Sequence, residues 1–426
     1  MNGKRRLKMK QLTRLFIPIC LETLFYMLSG MVDTLMLSAV GDYAVGAVGT
    51  ANSYIGIFII MFSIISSGMV SVMTQNIGAG RPGVAYQARQ LGLLFNAVAG
   101  VLMAVFLFSG AGAILRMVGI ADALYEPALI YLKIVGGGCI LNAVIPIFSS
   151  YLRAFGYTKQ PLYATIVGNI ANFVMNAVFL FVLHKGVAGV ATATVISKIL
   201  NLCIVLYFSH KLISAKNSTE RIANKTVLGQ IVKVGLPSAC ETALYNVAMM
   251  LVIRFLNQMD AEGLNVTARS YTATISNFSY CVGAALAQAN AIMTGWHIGA
   301  GELEECDRGT KRAAFVGVCV AVCMETAIVL GSGFIMPLFT DNPEMTALVR
   351  KLLAIDIVLE IGRVTNLVFG QALKTSGDAV FPAVIAAVFM FVFAVGGTWL
   401  FGISMGLMAV GAVSYTHLRA HETLAN

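Results

Sequence analysis

The chain carries one passage twice. Pro18-Ile-Cys-Leu-Glu22-Thr23-Leu-Phe-Tyr26 opens its first half, and Pro237-Ser-Ala-Cys-Glu241-Thr242-Ala-Leu-Tyr245 opens its second. The echo recurs at an interval of about 220 residues, the span of one whole domain-sized unit. Ile77-Gly78-Ala79-Gly80 is answered by Ile298-Gly299-Ala300-Gly301, and Gly156 and Pro161 by Gly377 and Pro382. A sequence duplicated within itself folds as two like units, and in a strongly apolar chain that is the organisation of secondary transporters. Of the 426 residues 58% are hydrophobic and 12% charged. Soluble domains carry about 25% charge, so most of this surface must face something other than water.

Apolar stretches long enough for a span of ~20 residues lie at 14–38, 45–75, 90–115, 127–153, 161–183, 187–209, 232–257, 265–295, 312–338, 347–373, 380–402 and from about 403 onward. They predict an all-α membrane protein of twelve transmembrane helices in two homologous six-helix bundles, residues 1–209 and 232–413. Between them lies a polar cytoplasmic linker, 210–231, that holds Asn217-Ser218-Thr219-Glu220. After Val413 the sequence turns polar and aperiodic, so the last helix is expected to be truncated and residues 414–426 read as a non-native tail.

The net charge of +9 does not point to nucleic acid, because the basic residues sit in short loops and ahead of the first span. Lys4, Arg5, Arg6, Lys8, Lys10 and Arg14 predict a cytoplasmic N-terminus in the cell inner (plasma) membrane. The eight cysteines are scattered through apolar runs without metal-ligand or disulfide spacing. No His-x-x-x-His, Gly-x-Ser-x-Gly or paired catalytic Asp motif occurs in the spans, so an intramembrane enzyme is not expected. A channel is disfavoured by the duplication and by the lack of a filter-like loop.

Ionisable residues inside spans are costly and therefore functional candidates. The first and seventh spans hold Glu22, Asp33 and Glu241. Glu241 falls about nine residues into its span, roughly 13 Å along a helix and near the bilayer midplane. The tenth span reads Asp356-Ile-Val-Leu-Glu360-Ile-Gly-Arg363, which puts three charges on one helical face.

Met31-Val32-Asp33-Thr34-Leu35-Met36, the following Ala44-Val45-Gly46-Ala47-Val48-Gly49, Gly235-Leu236-Pro237-Ser238, and the Gly-Ala-Gly that closes spans 2 and 8 together resemble the multidrug and toxic compound extrusion (MATE) family of the MOP flippase superfamily. The similarity covers residues 10–413. It implies a cation-coupled antiporter, driven by Na⁺ or H⁺, that exports organic cations, drugs or toxic compounds by alternating access. It also implies small-molecule substrates, the lipid bilayer as surroundings, a monomer, no nucleic acid, and no cofactor beyond the coupling ion. The alternative within the superfamily is a lipid-linked oligosaccharide flippase, which the excess of acids over bases in the spans disfavours.

The resemblance assigns a cation site in the first bundle to Asp33, Asn172, Asn176 and Thr194, with Na⁺, if it is the ion, at Asp33. Hard oxygen ligands suit that ion, and Asn172 and Asn176 share a helical face. Asn176 departs from relatives that carry a second Asp there. An Asn pair that only glues helices is the competing reading. For the second bundle only a charged lumen carries over. Glu22, Glu241, Asp356, Glu360 and Arg363 are expected to serve substrate or proton coupling, unless Glu360 and Arg363 form a permanent bridge. Asp356 would then be the acid left free to titrate, and Glu241 the one nearest substrate. Arg269, Tyr271, Gln288 and Asn290 are weaker candidates for lining the path.

Overall fold

The computed structural model describes residues 2–213, 220–259 and 264–404. Among them are twelve α-helices and no strands. The helices are α1 Asn2–Ser38, α2 Asp42–Gly78, α3 Pro82–Val118, α4 Asp122–Gly137, α5 Cys139–Ala154, α6 Lys159–Ala177 and α7 Gly186–Leu212, then α8 Asn224–Met259, α9 Leu264–Gly299, α10 Leu303–Ile335, α11 Pro343–Ser376 and α12 Val380–Phe389. A π-helical turn, Val178–Val182, extends α6, and two more, Met390–Val395 and Thr398–Ser404, follow α12. Part of the expected linker, the expected twelfth span beyond residue 404 and the tail at 414–426 lie outside the described residues.

The duplicated glycines stop helices. Gly80 and Gly301, the last residues of the repeated Ile-Gly-Ala-Gly, have φ of 73° and 75°. Gly156 and Gly377 have φ of 84° and 100°. Only glycine enters that left-handed region without strain, and it lets the next amide turn back to an orphan carbonyl of the last turn. Arg81 N donates to Asn76 O at 2.8 Å and Asp378 N to Leu373 O at 3.1 Å. Helix starts are marked as well. The Asn342 side chain accepts from Glu344 N and Met345 N ahead of Pro343, and Pro82 opens α3.

The fourth expected span, 127–153, forms as two helices. Gly136 and Gly137 end α4, Gly138 separates it from α5, and the two axes are bent by 41°. A glycine run weakens the helix where the bend falls.

Residues Met1–Leu236 form one compact unit and Pro237–Asn426 a second, with α8 beginning in the first. In the first unit α3 packs on α2, α4 and α5, while α6 packs on α1 and α7. Its buried side chains gather around Leu107, Tyr131 and Leu132 in one cluster and Met69, Tyr151 and Val205 in another. Asn96 ties three helices together by donating to Ala143 O at 3.0 Å and Phe62 O at 3.3 Å. In the second unit α11 lies against both α9 and α10, around Leu256, Val349 and Leu352.

The outer faces are apolar. Leu330 and Phe334 on α10 are 80% and 89% exposed, and Leu102, Phe106 and Phe108 project from α3. Each such side chain forfeits about 1.5–3 kcal/mol if left in water, so their natural solvent is hydrocarbon. Among the described residues eight helices are long and apolar enough to cross a membrane, or nine if the bent α4–α5 pair is one span. The expected spans at 265–295 and 347–373 form as α9 and α11, which are not among the eight: α9 is rich in polar residues, and α11 carries Asp356, Glu360 and Arg363.

Within the first unit, α2 and the opening of α8 approach closely at Gly68. A methyl group there would strike the Ile231 carbonyl, and one on Gly235 the Ile64 carbonyl. Gly68→Ala is expected to lower stability by roughly 1–3 kcal/mol through overpacking. The check is a thermal melt in detergent beside Gly49→Ala, where nothing lies within 4 Å of the added carbon. Equal melting temperatures for the two variants would refute the close approach.

Candidate functional site

In the first unit, α6 presents a ladder of asparagines to α1. Asn169 Nδ2 donates to Phe25 O at 2.8 Å, and two turns later Asn176 Nδ2 donates to Asp33 Oδ1 at 2.7 Å and to Asn172 Oδ1 at 3.1 Å. Asn176 is completely buried and Asn172 nearly so. The structure thus brings Asp33, Asn172 and Asn176 into one hydrogen-bonded group. Asn176 Oδ1 has no hydrogen-bond partner among the described residues, which leaves a buried oxygen beside the carboxylate. An oxygen pair of that kind fits a small hard cation or a proton relay.

Thr194 stands one step away. Its Oγ1 donates to Val190 O at 2.9 Å, back into its own helix, a usual resting place for a helical threonine. The Tyr131 hydroxyl links it to the group, since it faces Thr194 and Asn52 and feels the Asp33 charge. Tyr131 on α4 and Asn52 on α2 were not expected. Lys198 was also missed. It lies one turn beyond Thr194 on α7, donates to Asn142 Oδ1 on α5 at 2.8 Å, and acts electrostatically on Asp33. A lysine inside the 187–209 apolar run was the available signal.

In the second unit, α11 carries its three charges as a clamp. Arg363 Nη1 donates to Glu360 Oε2 at 2.6 Å, and Nη2 donates to Asp356 Oδ1 at 3.1 Å. Glu360 is fully buried and also accepts from Ser279 Oγ of α9 at 3.1 Å. The expected Glu360–Arg363 bridge therefore exists, but the expectation that it would leave Asp356 free is corrected. The guanidinium fork reaches both carboxylates because they lie three and seven residues before it on one face. A buried acid with no ion pair among the described residues is Glu325 on α10, absent from the expected site, which accepts from Ser276 Oγ of α9 at 2.8 Å.

Glu22 and Glu241 are both paired. Glu22 Oε1 meets Arg153 Nη2 at 2.6 Å, and Glu241 Oε2 meets Lys374 Nζ at 2.8 Å. Each base sits three residues before one of the duplicated left-handed glycines, Gly156 or Gly377, so the two pairs are repeat copies. Glu241 is thereby level with the last turn of α11. Its helix also starts at Asn224 rather than near residue 232, so nine residues into the helix is not where it lies. Of the weaker candidates, Tyr271 rests on Phe339, Asn290 is buried and donates to Thr310 Oγ1 at 3.3 Å across α9 and α10, and Gln288 is exposed. Among the described residues no group of three or more His, Cys, Asp or Glu side chains could hold a metal ion.

The sequence model of the MatE family matches residues 18–178 and 237–400, once in each unit. The chain belongs to this family. Over 400 residues it is 32% identical to the Bacillus subtilis (strain 168) protein named "Uncharacterized transporter YisQ", covering 92% of this chain and 88% of that one. Its fold is that of a multidrug resistance MATE family transporter of the MOP superfamily solved in an outward-facing conformation. The TM-score is 0.87 at 19% identity, and the match covers 98% of this chain and 94% of that one. A MOP superfamily transporter from Pyrococcus furiosus, whose binding pocket of reverse polarity suggests a different function for it, matches with TM-score 0.83 at 20% identity over 98% and 94% of the two chains. The MATE fold is the twelve-helix, two-bundle architecture expected from the duplication, and this member of the MatE family is a multi-span membrane transporter.

Proposed function

We propose that this MATE transporter is a cation-coupled antiporter that exports organic cations, drugs or toxic compounds across the plasma membrane by alternating access, as a monomer with its N-terminus in the cytoplasm. The observation that carries the proposal is Asp33, a carboxylate inside an apolar bundle whose direct partner is the Asn176 amide. A lone acid there needs a cation or a proton for company. Coupling requires that the bound ion and the substrate prefer different states, because a ligand with equal affinity for both shifts nothing. Thr194 and Tyr131 complete the hydrogen-bonding surroundings, and Glu22 and Glu241 hold the bundles' helix ends in place through their ion pairs.

Lys198 favours H⁺ over Na⁺. Its positive charge opposes any cation at Asp33, but a proton forms a covalent O–H bond on one carboxylate oxygen, whereas Na⁺ needs several free oxygens, and Asp33 Oδ1 and Asn172 Oδ1 both already accept from Asn176.

Dye efflux from vesicles carrying the protein tests both points. Efflux is expected under an imposed pH gradient and not under an imposed Na⁺ gradient, and Lys198→Met is expected to bring in Na⁺ dependence. Efflux driven by Na⁺ alone in the unaltered protein would remove the role given to Lys198. No efflux under either gradient would end the exporter assignment.

A further inference from the structure

Among its described residues the second unit holds one buried acid that no base answers. Glu325 on α10 has no solvent exposure; Oε1 accepts from Ser276 Oγ of α9 at 2.8 Å, and Oε2 has no hydrogen-bond partner among the described residues. The charged groups that face it are Asp356, Glu360 and Arg363 of α11. Both arms of Arg363 are engaged, Nη1 by Glu360 and Nη2 by Asp356. Asp356 Oδ2 is a second buried oxygen without a partner. Arg269 of α9 also acts on Asp356 and Arg363, and its own Nη2 rests on Met249 Sδ at 3.3 Å.

Three carboxylates therefore stand against two guanidinium groups, and arginine does not give up its proton. One negative charge is left over among these groups. Asp356 and Glu360 both touch Arg363, and Arg269 acts on Asp356 as well, so the excess falls on Glu325, which touches no base among the described residues. A buried carboxylate without a base sheds its charge by taking a proton. Ser276 suits either form, since a hydroxyl can donate to a carboxylate or accept from a carboxylic acid.

We propose that Glu325, held by Ser276, is a second proton-binding site, carried by the half of the chain that lacks the Asp33 network. The Arg363 clamp sets its occupancy: with both arms on Asp356 and Glu360, Glu325 keeps its proton, and an arm that leaves them for Glu325 expels that proton to water. The part this plays in transport rests on the cation-coupled assignment above; the existence of the site does not.

Infrared spectroscopy of the full chain in lipid tests it without any substrate. At neutral pH a protonated-carboxyl band is expected above the amide I region, absent in Glu325→Gln and shifted in Ser276→Ala. Asp33→Asn is expected to leave the band in place, which separates the two sites. Glu325→Asp keeps an acid at the position and should move the band, so the assignment stays testable if the glutamine variant folds poorly. A band of unchanged intensity in Glu325→Gln, or unmoved in both Ser276→Ala and Glu325→Asp, would overturn the site. Either result stands whatever the cargo. Vesicles that show no gradient-driven efflux would remove the exporter assignment and leave the infrared result untouched.

Discussion

Asp33→Asn is expected to reduce gradient-driven dye efflux to the background of empty vesicles while the protein still inserts and folds. The substitution keeps the shape of the side chain and an oxygen that can accept from Asn176 Nδ2, now at 2.7 Å from the carboxylate. It removes the negative charge, and with it the difference in ion affinity between states on which coupling depends. Efflux near the unaltered rate, in a variant that elutes as a single folded species, would show that Asp33 only holds α1 to α6.

Removing Arg363 is expected to be the most destabilising single change in the second unit. Its two arms serve the Glu360 and Asp356 carboxylates, both nearly or fully buried. Breaking a buried ionic group by deleting one partner costs about 3–5 kcal/mol, because the charges left behind are uncompensated. Arg363→Met should therefore melt well below the unaltered protein. The triple change Asp356→Asn, Glu360→Gln, Arg363→Met should recover much of the loss, since no charge is stranded. If the triple variant also exports dye, the clamp is structural; if it is stable and inactive, the clamp belongs to the transport cycle. An Arg363→Met protein as stable as the original would contradict the contacts described.

The fold was legible in the sequence because lipid allows few solutions. A backbone in hydrocarbon must satisfy its own polar groups, so apolar runs of sufficient length become helices. The repeated glycines marked where those helices stop. The break between α4 and α5 was written in Gly136-Gly137-Gly138 but was read as one uninterrupted span. Of the first-bundle site, Asp33, Asn172 and Asn176 came from spacing and family resemblance together. Tyr131 and Asn52 did not, because they reach the site from helices distant in sequence, and nothing local distinguishes a tyrosine that meets a threonine from one that faces lipid. Lys198 and Glu325 were visible as charges in apolar runs. Neither belongs to the repeated passage, to a family motif or to a face shared with other charges, so the sequence alone does not join them to a site, although a charge in a span is a functional signal by itself. The pairing of Glu22 with Arg153 needed the fold, since the arginine reads as a loop residue until α5 is seen to carry it.

That ion pair and its copy, Glu241 with Lys374, mark what the two halves still share. With Glu22 set on Glu241, Asp33 falls opposite Val252, and with Arg153 set on Lys374, Glu360 falls opposite Cys139. Each bundle thus keeps the same acid-to-base fastening, while the charges in the two interiors differ. The first half took an amide-bound aspartate, and the second an arginine held between acids.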